Sequence, residues 1–228
     1  MSTAALIVQA YEDGRDRHPL DRALLLLSAA APEAKWEELA SLPVGRRDAR
    51  LLELRERLFG RRLRFSSRCP SCDEKVEAEI DARSLHQEPA QGEHEVQLGT
   101  NVVRFRLPDS RDLAAVIDLP PEKAGASLLE RCVTSGSLQP GMLDALDRAM
   151  AEADAQAEIA FSLSCPNCAR AWEDLLDPPS FLWAELSAEA QRLFREVHAL
   201  AAAYGWREAE ILDLSPARRR TYLELVGA

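Results

Sequence analysis

Lysine is scarce in this chain but arginine is not, and Lys and Arg total 28 against 38 Asp and Glu. Lysine occurs only at Lys35, Lys75 and Lys123, and the 228 residues carry a formal net charge of −10 with a pI near 5.0. Nucleic-acid binding draws on Lys and Arg that neutralise phosphates, so this balance argues against general nucleic-acid affinity. Long apolar runs are missing too. The longest aliphatic runs, Ala23 to Leu27 among them, fall far short of the roughly 20 apolar residues that span a bilayer. The opening Met1-Ser-Thr-Ala-Ala-Leu-Ile-Val lacks a basic stretch and acidic residues follow at once, so no secretory signal is expected. These features predict a soluble chain in the cytoplasm with no membrane insertion. No nucleophile elbow, phosphate-binding loop or His-Glu-x-x-His motif occurs, so the chain reads as non-enzymatic. Cysteine is sparse, five residues in all.

Four of those five cysteines fall into one repeated pattern. Phe65-Ser-Ser-Arg-Cys69-Pro-Ser-Cys72 and Phe161-Ser-Leu-Ser-Cys165-Pro-Asn-Cys168 share the form Phe-Ser-x-x-Cys-Pro-x-Cys. Two such knuckles supply four thiolates, the number that closes a tetrahedral zinc shell. The predicted ligands are Cys69, Cys72, Cys165 and Cys168, holding one zinc. A closed four-thiolate shell leaves no position for a reacting water, so the ion would be structural. About 90 residues separate the knuckles, but loop-closure cost grows only with the logarithm of length. Arg68, Lys75 and Arg170 stand beside the cysteines, where they would offset the thiolate charge. Such knuckles often carry glycine after the second cysteine, where the backbone takes a positive φ. Here Asp73 and Ala169 hold those positions, and alanine tolerates that region poorly. Two rival readings stay open: unliganded buried cysteines, and a redox Cys-x-x-Cys pair. The redox pair belongs at a helix N-terminus beside a βαβ unit, and no such pattern is present. Cys132, in an apolar-periodic stretch, reads as a small buried hydrophobe.

The hydrophobic pattern predicts an α+β chain. Helical N- and C-terminal regions flank a small strand-rich, zinc-ribbon-like module with an inserted hairpin and helices. The expected segments are 1–60, 61–177 and 178–228. Helices are predicted over Ala4–Tyr11, Leu20–Ala30, Trp36–Leu42 and Gly45–Phe59, the last with Arg46, Arg47, Arg50 and Arg57 off its apolar stripe. Strands flank the first knuckle, and Glu158–Leu163 leads into the second. Gln87–Glu93 reads as a polar loop. Val96–Leu107 reads as a hairpin turning at Gly99-Thr-Asn. Ser110 is the expected N-cap of a short helix to Val116, and Leu128–Val133 and Met142–Ala153 read as helices. After Pro178-Pro179 come a long helix capped at Ser187, a short one from Trp206 to Leu214, and a last one with Ser215 as N-cap and Pro216 at N1.

Other candidates are weaker. His18, His86, His94 and His198 are scattered. Asp147, Glu152, Asp154 and Glu158 read as a solvated face. Arg218, Arg219 and Arg220 read as mostly exposed, either as plain surface charge or as a dock for an acidic partner. Phe181, Trp183, Tyr204, Trp206 and Tyr222 cluster in the last fifty residues. Most belong to a core, with a protein-binding groove as the alternative.

The tail Tyr204-Gly-Trp-Arg-Glu-Ala-Glu-Ile-Leu-Asp-Leu-Ser-Pro resembles that of small baseplate and tail-assembly proteins of contractile-tail bacteriophages. Arg15-Asp-Arg-His-Pro-Leu-Asp-Arg-Ala-Leu-Leu-Leu-Leu, Gly45-Arg-Arg-Asp-Ala-Arg-Leu-Leu-Glu-Leu-Arg and the two knuckles are similar to proteins of phage-tail-like contractile injection systems. That resemblance implies a structural or assembly role in a baseplate, with baseplate, tube or spike proteins as partners. It also implies incorporation into an assembled particle as an alternative to a free cytoplasmic protein. Trp206, Arg218, Arg219, Arg220 and Tyr222 are the implied partner-binding residues. The competing readings are a zinc-ribbon adaptor contacting nucleic acid or transcription machinery, and a thiol redox enzyme.

Overall fold

The computed structural model describes residues 2–87, 92–98, 101–139 and 141–227. It is an α+β fold, 58% helical, with small antiparallel sheets. The elements run α1 (Thr3–Gly14), α2 (Pro19–Ala30), α3 (Trp36–Ala40), α4 (Val44–Phe59), β1 (Arg62–Arg68), β2 (Lys75–Asp81), β3 (Glu93–Leu98), β4 (Asn101–Arg106), α5 (Ser110–Val116), α6 (Pro121–Cys132), β5 (Val133–Ser135), α7 (Leu143–Ala153), β6 (Ile159–Ser164), β7 (Ala171–Leu176), α8 (Pro178–Tyr204), α9 (Glu208–Asp213) and α10 (Pro216–Val226). They form two compact units, Met1–Ala30 with Pro179–Ala228, and Ala31–Pro178.

In the first unit, α8 buries Leu182, Leu186, Ala190, Leu193 and Leu200 along one stripe. Tyr11 of α1 stacks on Trp183 at 6.1 Å and accepts a hydrogen bond from Gln191. Gly14 ends α1 where any Cβ would lie 2.6 Å from the Trp183 ring, so glycine is required there. Arg22 lies over the same ring at 4.6 Å and donates to the carbonyls of Gly14 and Arg15. Pro216 opens α10 and Ser215 accepts from the Arg218 N–H, as the sequence predicts. Ser187 is not an N-cap: α8 already starts at Pro178, and the Ser187 hydroxyl donates back to the Trp183 carbonyl.

In the second unit three antiparallel sheets follow one another: β1–β2, β3–β4–β5 and β6–β7. Val103, Phe105, Leu107, Cys132, Leu146 and Met150 form one buried cluster of its core. Cys132 is fully buried there, and burial pushes its thiol up to about 11. Asp109, one residue before the expected Ser110, caps α5 by accepting from the Arg111 and Asp112 N–H groups. The helix expected from Leu128 begins at Pro121, because proline at the first helical position does not interrupt. Val133–Ser135 is an edge strand that the apolar pattern did not reveal. The expected turn residues Gly99 and Thr100, and most of the loop around Pro89, lie outside the described residues.

Candidate metal centre

The two knuckles are built alike. β1 pairs with β2 in the register Phe65↔Ala78 and Arg68↔Lys75, and β6 pairs with β7 in the register Phe161↔Asp174 and Ser164↔Ala171. Each hairpin alternates, so Leu63 and Phe65, or Ile159 and Phe161, share one face. Past the strands the chain closes the same turn twice. Cys69 N–H donates to the Glu74 carbonyl and Asp73 N–H to the Cys69 carbonyl, both at 2.9 Å. Cys165 N–H donates to the Arg170 carbonyl at 2.9 Å and Ala169 N–H to the Cys165 carbonyl at 3.0 Å. Asp73 and Ala169 both adopt φ +59°, and among the described residues no other non-glycine has a positive φ. The turn geometry therefore overrides the reluctance of alanine.

The repeat also explains how the turns meet. The rings of Phe65 and Phe161, equivalent in the two motifs, pack at 4.3 Å between centroids. Cys69 Sγ then lies 3.6 Å from Cys168 Sγ, and Cys72 Sγ 3.6 Å from Cys165 Sγ. All four sulfurs fall within 4.8 Å of one another. A tetrahedron with metal–sulfur bonds of about 2.3 Å has sulfur–sulfur edges of about 3.8 Å. A disulfide needs about 2.05 Å, so the arrangement fits a shared cation and not paired disulfides. The first cysteine of each knuckle is buried and the second exposed. Burial disfavours the Cys69 thiolate, but N–H groups of Ser71 and Cys72 and the neighbouring thiols bring it down to about 7. At Cys72 the Glu74 N–H favours the thiolate, while partial desolvation and the three neighbouring sulfurs push the thiol up to about 11. Asn167 donates across from the second knuckle to Cys72 Sγ at 3.7 Å. Of the cations expected to offset the charge, Arg68 pairs with Asp73 at 2.9 Å and Lys75 with Glu77 at 2.7 Å.

The C-terminal candidates divide. Tyr204 and Trp206 stack at 4.6 Å, and Tyr222 meets both edge-on at 5.6 Å and 4.8 Å. Arg218 and Arg220 are exposed. Arg219 is not: it is 3% exposed, pairs with Glu196 at 2.8 Å and donates to the Leu214 carbonyl. Arg47 likewise turns inward to pair with Asp48 at 2.7 Å. Burial drives the Asp48 carboxyl up to about 6 despite that guanidinium, with Asp177 and Asp154 adding to the rise.

Asp154 carries a role that sequence reasoning missed. It is 4% exposed, not on a solvated face, and accepts the Gly45 N–H at 3.0 Å. Gly45 lies in the first turn of α4, whose N-cap is Pro43 and offers no side-chain acceptor. Asp154 thus caps α4 from 109 residues away, a relation with no local signal. Burial raises its carboxyl, which the Gly45 N–H partly counters.

The fold and the paired knuckles define an α+β chain carrying a four-cysteine cluster. The chain belongs to the family described as T4 bacteriophage base plate protein, whose model matches residues 12–136. That stretch covers the Arg15–Leu27 and Gly45–Arg55 segments and the first knuckle. It does not reach the second knuckle or the tail after Tyr204. No curated protein and no solved structure matches the chain significantly. No helix among the described residues is long and apolar enough to cross a membrane.

Proposed function

We propose that this protein is a structural or assembly component of the baseplate of a phage-tail-like contractile injection system, held together by one structural zinc. Family membership supports the baseplate role and makes other baseplate proteins, with tube or spike proteins, the expected partners. The observation that carries the zinc is the four-sulfur cluster with its 3.6 Å edges. Cys69, Cys72, Cys165 and Cys168 would hold the ion and tie the two hairpins together. The role is architectural, not catalytic. The metal-organised module comprises 61–177 between the segments 1–60 and 178–228, with α4 joined to it through Asp154. Docking falls to the tail, where Trp206 and Tyr222 offer an aromatic surface and Arg218 and Arg220 offer charge, Arg219 serving the fold from within.

Two measurements test this reading. Elemental analysis of protein purified under reducing, chelator-free conditions should give about one zinc per chain. No zinc would remove the structural half of the proposal. Affinity purification of the tagged chain from cells producing a contractile particle should recover baseplate, tube or spike proteins. Recovery of none would remove the other half.

A further inference from the structure

The knuckles share a backbone but not their supports. In the first, Arg68 stands immediately before the turn and Asp73 immediately after its second cysteine. The Arg68 guanidinium donates to both the Asp73 carbonyl, at 3.1 Å, and the Asp73 carboxylate, at 2.9 Å. This bracket closes the turn from outside. The matching positions of the second knuckle are Ser164 and Ala169, which cannot form it. The same two positions differ in backbone cost. Aspartate enters the left-handed region with help from its short polar side chain, whereas alanine meets the full Cβ penalty. Both residues sit at φ +59°, so one turn is bracketed by side chains and relaxed, while the other has only its two backbone hydrogen bonds and is strained.

We propose that the two halves of the centre are unequal: the Cys69–Glu74 turn keeps its shape without metal, and the Cys165–Arg170 turn opens when the metal leaves, freeing Cys165 and Cys168. This rests on the four-thiolate reading above. The opening stops at the turn. β6 and β7 stay paired, because Ile159, Leu163 and Leu176 are buried and Leu163 faces Trp172 across the ladder. The metal therefore works as a latch on one knuckle and as a passenger on the other.

Amide hydrogen exchange on the zinc-loaded full chain, before and after withdrawal of zinc by a chelator in reducing buffer, tests the asymmetry. The Cys165 and Ala169 amides should lose about tenfold more protection than those of Cys69 and Asp73, as expected when a strained turn opens locally. Equal losses, or a larger loss in the first turn, would overturn the proposal. Two variants check the cause. Ser164→Arg combined with Ala169→Asp grafts the bracket onto the second knuckle and should bring the two losses together. Ala169→Gly should slow zinc transfer to the chelator roughly threefold, strain relief being partly offset by the freedom glycine gains on opening. Grafted protein that still shows the full difference would refute the role of the bracket. Protein that never holds zinc would overturn the zinc reading itself, a result distinct from zinc held by two turns that respond alike.

Discussion

Replacing Gly45 by alanine should destabilise the protein, against the ordinary rule for a helix. On propensity alone the change adds about 1 kcal/mol of stability. The environment reverses the sign. A Cβ at position 45 would lie 1.9 Å from Asp154 Oδ1 and 2.6 Å from its Cγ, so the carboxylate must move. Moving it strips the Gly45 N–H of its only cap, a loss of about 1–3 kcal/mol for a buried donor. Overpacking adds about 1–3 kcal/mol. The net expectation is a loss of about 1–5 kcal/mol. At about 2–4 °C per kcal/mol for a chain of this size, Tm should fall by roughly 2–20 °C. Thermal melts followed by far-UV circular dichroism measure this directly. Asp154→Ala alone should cost about 1–3 kcal/mol. The double variant should cost less than the sum by about 1–2 kcal/mol, since the second change removes the atom with which the new methyl collides. A Gly45→Ala protein as stable as the parent, or additive losses in the cycle, would refute the cap across 109 residues.

The ion pairs give a pH signature. Burial alone would raise the Asp112 carboxyl, but the Arg106 fork, the Asp109 N–H and Arg131 hold it at about 2. Its contribution is present above about pH 4 and lost as pH falls through 2, so Asp112→Asn should cost about 2 kcal/mol at neutral pH and little at pH 2. Asp48 runs the other way. Its folded value near 6 lies above the unfolded one, so stability falls as pH rises from about 4 through 6, a slope that Asp48→Asn should flatten in chemical-denaturation profiles. Cys165→Ser should abolish zinc binding and open the second turn while β6 and β7 stay paired, whereas Cys132→Ala should keep zinc and cost only a core methyl-sized void; zinc held by the Cys165→Ser protein, or lost by the Cys132→Ala protein, would contradict the assignment. At the tail, Arg218→Glu with Leu225→Asp should block co-purification with baseplate proteins at unchanged Tm. Leu225 is 71% exposed, so it can be changed without disturbing the core. Truncation after Gly205 is the poorer test, because Ile211 and Leu212 are buried.

The legible parts of the chain were those written locally. Ser215-Pro216 announces a helix start because capping acts within one turn, and the duplicated knuckle announces its sulfurs because each pair is fixed by a six-residue turn. The convergence of the four sulfurs was inferred from their number, and the packing of Phe65 on Phe161 shows how the repeat achieves it. What escaped was long-range polar pairing. Arg47, Arg219 and Asp154 look solvated in sequence because their charge says so. Each is buried because a partner, respectively Asp48, Glu196 and the Gly45 N–H, waits in the interior. Ser187 misled for a related reason: a hydroxyl that can cap a helix can equally bond back inside one.

The separation of the knuckles has a mechanical meaning. Once a metal joins Cys69 and Cys72 to Cys165 and Cys168, tension pulled through the chain from either side crosses at the ion and bypasses everything between. The inserted sheet, α5, α6 and α7 form a slack loop in parallel with the metal, shielded from the pull. Breaking the coordination would put the intervening residues under load, and their unfolding would add about 90 residues of hidden length, on the order of 300 Å when extended. Under stretching by single-molecule force spectroscopy, a metal-loaded chain should extend by that much less before its last barrier than a chelated one.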